Sequence, residues 1–419
     1  MECWNNGTNI LSAFPNVPFI LKGELMSISA KIKDHMERAS WIRKMFEQGL
    51  ELKSKLGTDK VFDFSLGNPN LEPPDAVRKA ILEVLSDERP GKHAYMPNAG
   101  LRETREAVGG YLSKEHGMKL TWEQVIMTCG AGGALNVALK TILDPGDEVL
   151  VLSPYFVEYF FYIDNHNGIG QLIKTNEDFT LNIKAIEAGV TPRTKAIIIN
   201  SPNNPSGRIY NETSLKSLGK LFEGIKKKNN QTIYLLSDEP YSKLVYDGAR
   251  VPSVFQAYPN SIVVTSYSKD LSLPGERIGY GAVNPKMENW KQMVDGLTFC
   301  NRILGFVNAP VLMQRILPRL QGVHVDISEY QKKRDNLCRG LADARYSFIK
   351  PEGAFYLFPK CPIPDDVLFV NTLLQENILA VPGMGFGTPG YFRLAYCVDD
   401  RTIEGSIEGF RKAIKKFSR

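Results

Sequence analysis

One lysine and the hydroxyls beside it define the chemistry open to this 419-residue chain. Between Ser261 and Tyr280 an apolar, β-branched run, Ile262-Val263-Val264, reads as a buried strand. It ends in a turn carrying Ser266, Ser268 and Lys269, and Arg277 follows a Pro274-Gly275 turn. A lysine held at a strand end can form a Schiff base, and two hydroxyls with a guanidinium can grip a phosphate. The plainer alternative is a solvated lysine after an edge strand.

Other stretches offer matching chemistry. Cys129-Gly-Ala-Gly-Gly-Ala134 separates a strand, Val125 to Thr128, from a helical pattern. A glycine-rich turn opening a helix aims bare N–H groups and the positive dipole end at one spot, which suits phosphate; the alternative is a tight turn. A dinucleotide site would need a third glycine where Leu135 stands, and the Lys-Ser/Thr pair of a P-loop is absent. Asp238 ends the strand 232–237, where a buried carboxylate needs a cationic partner unless it caps a helix. In the strand 391–396, Arg393 faces away from Phe392 and Leu394. A guanidinium there suits a carboxylate, or it is a surface arginine. Asn200-Ser-Pro-Asn-Asn-Pro-Ser-Gly207 is a dense turn.

The elements that would position these residues alternate. A helical pattern from 26 to 56 carries Ile42, Met45, Phe46 and Leu50 on one face, and Gly57 closes it. Strands are expected at 61–64, 125–128, 149–152, 195–199, 232–237, 262–264 and 391–396, with helices between them, and the polar motifs fall where strands end. This is a doubly wound, mostly parallel α/β pattern, with ligands beyond the strand C-termini. A large domain is expected over 75–310. A smaller α+β domain comes from both chain ends, 26–74 and 311–419, and residues 1–25 form an N-terminal extension.

Composition excludes several classes. The 51 basic and 46 acidic residues give a net charge of +5 without long blocks of like charge, which favours neither nucleic acid nor an anionic membrane. Six scattered cysteines lack a C-x-x-C pair, and five histidines lack an i, i+4 pair. Disulfide and metal frameworks are therefore not expected, and a reducing cytoplasm fits. No apolar run approaches the roughly 20 residues of a membrane span. The N-terminus lacks the basic region and cleavage site of a signal peptide; it is either an arm that packs on a partner or an extension ahead of Met26.

The spacing Ser-x-Ser-Lys-x-x-Ser-Leu-x-Gly-x-Arg-Ile-Gly from Ser266 to Gly279 resembles the lysine signature of class I/II aminotransferases, the fold type I enzymes that use pyridoxal phosphate. The other motifs follow in that family's order across about 32–415. The resemblance implies a Schiff base at Lys269, which then moves the proton of the substrate. It implies Asp238 on the pyridine nitrogen, and Tyr241 and Asn204 on the ring oxygen. The phosphate falls to Ser266, Ser268, Arg277, Ala131, Gly132 and Gly133, with Tyr95 from a second subunit of a homodimer. Phe156 stacks on the ring, or Tyr155 if the register is off by one. Gly67, Asn204 and Arg393 meet the substrate carboxylate. Arg302, at an offset register, is the candidate for a second carboxylate from the neighbouring subunit. Ser201 replaces an asparagine of the family's Asn-Pro box, and Arg102 and Thr104 stand where proline and leucine are usual.

The implied activity is transfer of an amino group from an aspartate-like or aromatic amino acid to a 2-oxo acid such as 2-oxoglutarate. Alternatives on the same scaffold are a β-lyase and an aminocyclopropane-carboxylate-synthase-like enzyme. A regulator sensing the cofactor or an amino acid is the reading from another class.

Overall fold

The β-branched runs read above become the centre of a seven-stranded sheet because helices cover both of its faces. In this computed structural model, which describes residues 27–38 and 40–417, the strands are β1 (Phe62–Asp63), β2 (Val125–Thr128), β3 (Glu148–Ser153), β4 (Ile169–Lys174), β5 (Thr194–Asn200), β6 (Tyr234–Asp238), β7 (Ser261–Ser266), β8 (Gly279–Val283), β9 (Tyr356–Leu357), β10 (Ile378–Leu379), β11 (Val381–Pro382) and β12 (Phe392–Ala395). The large sheet has the order β2-β8-β7-β6-β5-β3-β4. All of its pairings are parallel except those of β8, which runs antiparallel to both neighbours.

Side-chain alternation shows the double winding directly. Leu150, Leu152, Ile197 and Ile199 join one apolar cluster with Leu215, Leu218 and Phe222 of the helix Glu212–Asn229. Val149, Val151, Ala196 and Ile198 join the opposite cluster with Leu135, Val137 and Leu139 of the helix Gly130–Ile142. Each strand therefore buries both faces, which is why its sequence is apolar throughout rather than alternating.

The helix Glu212–Asn229 starts where the Asn211 side chain accepts from Ser214 N at 2.8 Å and stops at Asn230, in the left-handed region with φ 54°. The helix Gly130–Ile142 starts at a glycine with φ 72°. A side chain at Gly130 would be strained by that φ, and its Cβ would fall 3.0 Å from Arg277 Nη2.

A third cluster gathers around β1, β9, β10 and β12 with Phe369, Leu373, Ile403 and Phe410. Here β1 pairs in parallel with β10, and β12 pairs antiparallel with β11 and β9. Two strands of the large sheet, β4 and β8, are not among those expected from the sequence. Glycines interrupt both, Gly170 in one and Gly279 and Gly281 in the other, which hides the apolar pattern.

Two compact units, Met1–Arg38 and Ala39–Arg419, make up the chain. In the first, the described part is residues 27–38, with a helix Ala30–Arg38; the expected extension at 1–25 lies outside the described residues. In the second, the helix Ser40–Leu56 buries Met45, whereas Leu50 is exposed, so Leu50 is not on the covered face. The side chains of Ile42 and Phe46 lie outside the described residues. No helix among the described residues is long and apolar enough to cross a membrane.

Candidate active site

At the carboxyl ends of β2, β3, β5, β6 and β7 the sheet opens into a cavity of about 700 Å³. In an open parallel sheet this is the end where backbone N–H groups and loop side chains converge. Its wall includes Lys269, Asp238, Tyr241, Phe156, Asn204, Ser266, Ser268, Arg277, Ala131, Gly132, Gly67 and Arg393.

Lys269 stands in the turn after β7, and its Nζ donates to the carbonyl of Gly67 at 2.9 Å. Burial lowers its ammonium to about 8, and Arg277 and Arg393 push the same way. A good part of the amine is therefore neutral, and nucleophilic, near physiological pH. Gly67 leaves no room for any other residue, because a Cβ there would sit 2.0 Å from the hydroxyl of Tyr356.

An anion corner lies on one side of the lysine. Ser266 and Ser268 are buried in the wall. Arg277, itself at φ 48°, donates through Nη1 to the Pro274 carbonyl at 2.9 Å and passes close to Gly130 at the start of the helix. Hydroxyls, a guanidinium and a helix N-terminus together suit a phosphate.

The opposite end is buried and charged. Asp238 closes β6 and accepts from the Tyr159 hydroxyl at Oδ2, at 2.6 Å, while its buried Oδ1 has no partner. Burial pushes its carboxyl up to about 7, against the pull of Tyr159. Such an orphaned oxygen calls for a donor or cation from a ligand. Asn200 steadies the loop: it donates to the Asp238 carbonyl at 2.8 Å and accepts from Asn204 N at 2.6 Å.

Arg393, on β12, is buried without an ion-pair partner among the described residues. It donates to the Ser65 carbonyl at 2.6 Å and to Asn204 Oδ1 at 3.1 Å, between the rings of Tyr356 and Phe386, each 4.8 Å away. Its Nε is unpaired. A buried guanidinium with spare donors fits a ligand carboxylate. Next to it, the hydroxyls of Tyr241 and Tyr356 lie 2.9 Å apart.

Of the two adjacent rings weighed for stacking, Phe156 lines the cavity, while Tyr155 packs on Phe160 at 4.9 Å. Three expected residues lie elsewhere. Gly133 is off the wall, facing Cys129 and Phe306. Tyr95 is 90% exposed. Arg302 lies in the helix Trp290–Ile303, over the ring of Phe299. Sequence reasoning did not single out Tyr356, Tyr159, Tyr162, Asn200 or Glu158. The i, i+3 spacing of Tyr159 and Tyr162 on one short helix is the one signal that could have joined a pair of them; Tyr356 sat in an aromatic strand with nothing to say which ring faced inward.

The parts together suit a flat phosphorylated heterocycle: the anion corner for the phosphate, Asp238 Oδ1 for a protonated ring nitrogen, Phe156 for the ring face and the Lys269 amine for an electrophilic carbon.

The family model described as "Aminotransferase class I and II" matches residues 59–410. An aspartate/prephenate aminotransferase of Thermus thermophilus is 34% identical over 89% of this chain and 93% of its own length. A probable aspartate aminotransferase of Methanocaldococcus jannaschii is 31% identical over 84% and 93%. Among solved structures, an amino transferase of Eubacterium rectale superposes with a TM-score of 0.91 at 36% identity, over 94% of this chain and all of that one. The aspartate aminotransferase of Thermotoga maritima gives 0.82 at 26%, over 93% and all of its chain.

Proposed function

The chain belongs to the class I and II aminotransferases, and from that premise we propose that it is a pyridoxal-phosphate-dependent transaminase whose Schiff-base lysine is Lys269. It takes the amino group of an L-amino acid and passes it to a 2-oxo acid, for which 2-oxoglutarate is the first acceptor to assay. The observation that carries this reading is one cavity holding a depressed lysine amine, an orphaned Asp238 oxygen and a buried Arg393 with its Nε unmet.

Pyridoxal phosphate bound there would supply a carbonyl that condenses with amines and a ring that accepts electrons from the substrate Cα. Every other task falls to the chain. Ser266, Ser268, Arg277 and the amides at Ala131 and Gly132 would hold the phosphate, with Tyr95 of a second copy. Asp238, held by Tyr159, keeps the ring nitrogen protonated. Tyr241 and Asn204 hydrogen-bond the ring oxygen, and Phe156 covers one ring face. Arg393 and Gly67 orient the α-carboxylate so that the Cα–H bond would lie perpendicular to the ring plane. Lys269 then removes that proton and returns it as general acid and base. Division into a domain over 75–310 and another over 26–74 and 311–419, a homodimer and a cytoplasmic location belong to the same reading.

The test is an absorbance spectrum of the purified protein before and after an amino-acid panel. A visible chromophore that bleaches with one group of donors, without release of ammonia, and is absent from Lys269→Ala supports the reading. No chromophore with added cofactor refutes it; release of ammonia moves the protein to the lyases.

A further inference from the structure

Ala354 sits just ahead of β9 at φ 58°, in the left-handed region that a Cβ disfavours, and it is completely buried. A methyl group cannot hold such a backbone, but its neighbours can. The Ala354 carbonyl accepts from two phenols, the hydroxyl of Tyr246 and, at 3.1 Å, that of Tyr396, while its N–H donates to the Leu244 carbonyl at 2.8 Å. The residues before it are also fixed. Glu352 N and Gly353 N donate to the Gly207 carbonyl at 3.0 and 3.1 Å, and Arg334, over the ring of Tyr246 at 4.7 Å, donates to the Pro351 carbonyl at 2.9 Å. Tyr246, Ala354 and Tyr396 are at most 1% exposed within one chain, so a second copy cannot touch them.

The two residues after Ala354 belong to the buried end of the site. The Phe355 ring lies 5.3 Å from Lys269 Nζ and meets the Tyr241 ring edge-on, with centroids 5.5 Å apart. The Tyr356 ring lies 4.8 Å from the Arg393 guanidinium, its hydroxyl meets that of Tyr241, and it fills the space beside Gly67. If Ala354 relaxed to negative φ, the peptide would turn, its carbonyl would leave both phenols, and the strand would carry both rings away from these groups. We infer that Tyr246 and Tyr396 are positioning residues of this site: their hydroxyls hold Ala354 in its left-handed conformation and so seat the rings of Phe355 and Tyr356 against Lys269, Tyr241 and Arg393. Neither phenol is on the cavity wall, so both act through the backbone.

This inference rests on the transaminase reading for the ligand that reports it, and the probe is 2-methylalanine, an amino acid with no Cα–H bond to break. Removing both hydroxyls orphans a buried carbonyl, so in the loaded enzyme Tyr246→Phe with Tyr396→Phe should raise the Kd for 2-methylalanine about tenfold. Adding Ala354→Gly, which adopts the left-handed region without being held, should bring that Kd back to within about threefold of wild type; in the wild-type background it should change Kd by no more than about twofold. A loss through packing alone would not be recovered by a glycine, which removes contacts. A Kd unmoved by the two Phe substitutions, or unmoved by Ala354→Gly in their background, overturns the inference while leaving transamination intact. Where the doubly substituted chain does not fold, Tyr396→Phe alone, which takes one of the two donors, carries the same comparison at about threefold. If the wild type binds neither pyridoxal phosphate nor 2-methylalanine, the transaminase reading fails, and crystal structures decide the inference by themselves. Ala354 at negative φ with Phe355 and Tyr356 displaced in the Phe variant upholds it, and an unmoved backbone overturns it.

Discussion

At the anion corner, Ser266, Ser268 and Arg277 come from one short stretch, and the helix start at Gly130 from one other. At the far end, Ser65, Asn204, Asp238, Tyr356 and Arg393 come from five separated segments. The first reaches an open rim at Arg277, which is exposed and has its donors partly met by its own turn, although Ser266 and Ser268 are buried. The second is buried and leaves Asp238 Oδ1 and Arg393 Nε unmet. An open anion site is steadied by water and local turns, whereas a buried charge without a partner costs stability until a ligand supplies one. The buried end should therefore dominate both energetics and pH response.

Lys269→Ala joins neither end to the chemistry and should show the largest effect, a loss of roughly 10²–10⁴-fold in transamination. Mass spectrometry after borohydride reduction should find the cofactor attached to the wild type alone. Arg393→Lys comes next: losing a planar fork in a buried pocket should raise KM for amino acids by about one to two orders of magnitude, as expected for hydrogen bonds to charge. If Arg277→Lys, on the open rim, raises KM for amino acids as much, the contrast between the ends is broken.

A third measurement sharpens the contrast through pH. In the ligand-free protein the Asp238 carboxyl is held at about 7, above its unfolded value near 4. The native state then binds more protons than the unfolded state in that window, so stability falls as pH rises from about 4 to about 7. Glu239, also buried and at about 7, and Asp270, at about 6, slope the same way. Asp238→Asn should flatten only part of the dependence of Tm on pH, and adding pyridoxal phosphate to the wild type should flatten the same part. The smallest effect is expected from Tyr356→Phe, which removes the partner of the Tyr241 hydroxyl and should cost about 0.5–1.5 kcal/mol, several-fold in rate. A larger loss would assign Tyr356 a part in the proton transfer.

The two ends also differ in how far they were legible. Ser-x-Ser-Lys and the glycine turn are contiguous, and a strand end or a helix start is a local event, so the corner could be drawn from residues 129–134 and 266–277 alone. The parallel strands β3, β5, β6 and β7 were readable because burial on both faces leaves near-continuous apolar runs. β8 was hidden by its glycines, and Leu50 was placed on a covered face that helical periodicity suggested but packing did not use.

What the amino-acid order determined by itself is the local kit: a lysine at a strand end, an aspartate at another, an arginine in a third, and the doubly wound pattern that brings strand ends to one edge. What only the tertiary structure decided is which polar atoms end up without partners. Asp238 Oδ1 and Arg393 Nε are ordinary groups in sequence, and each acquires its meaning from neighbours far away along the chain or from their absence. Burial and pairing depend on three-dimensional distance, which a linear order of residues does not encode pair by pair.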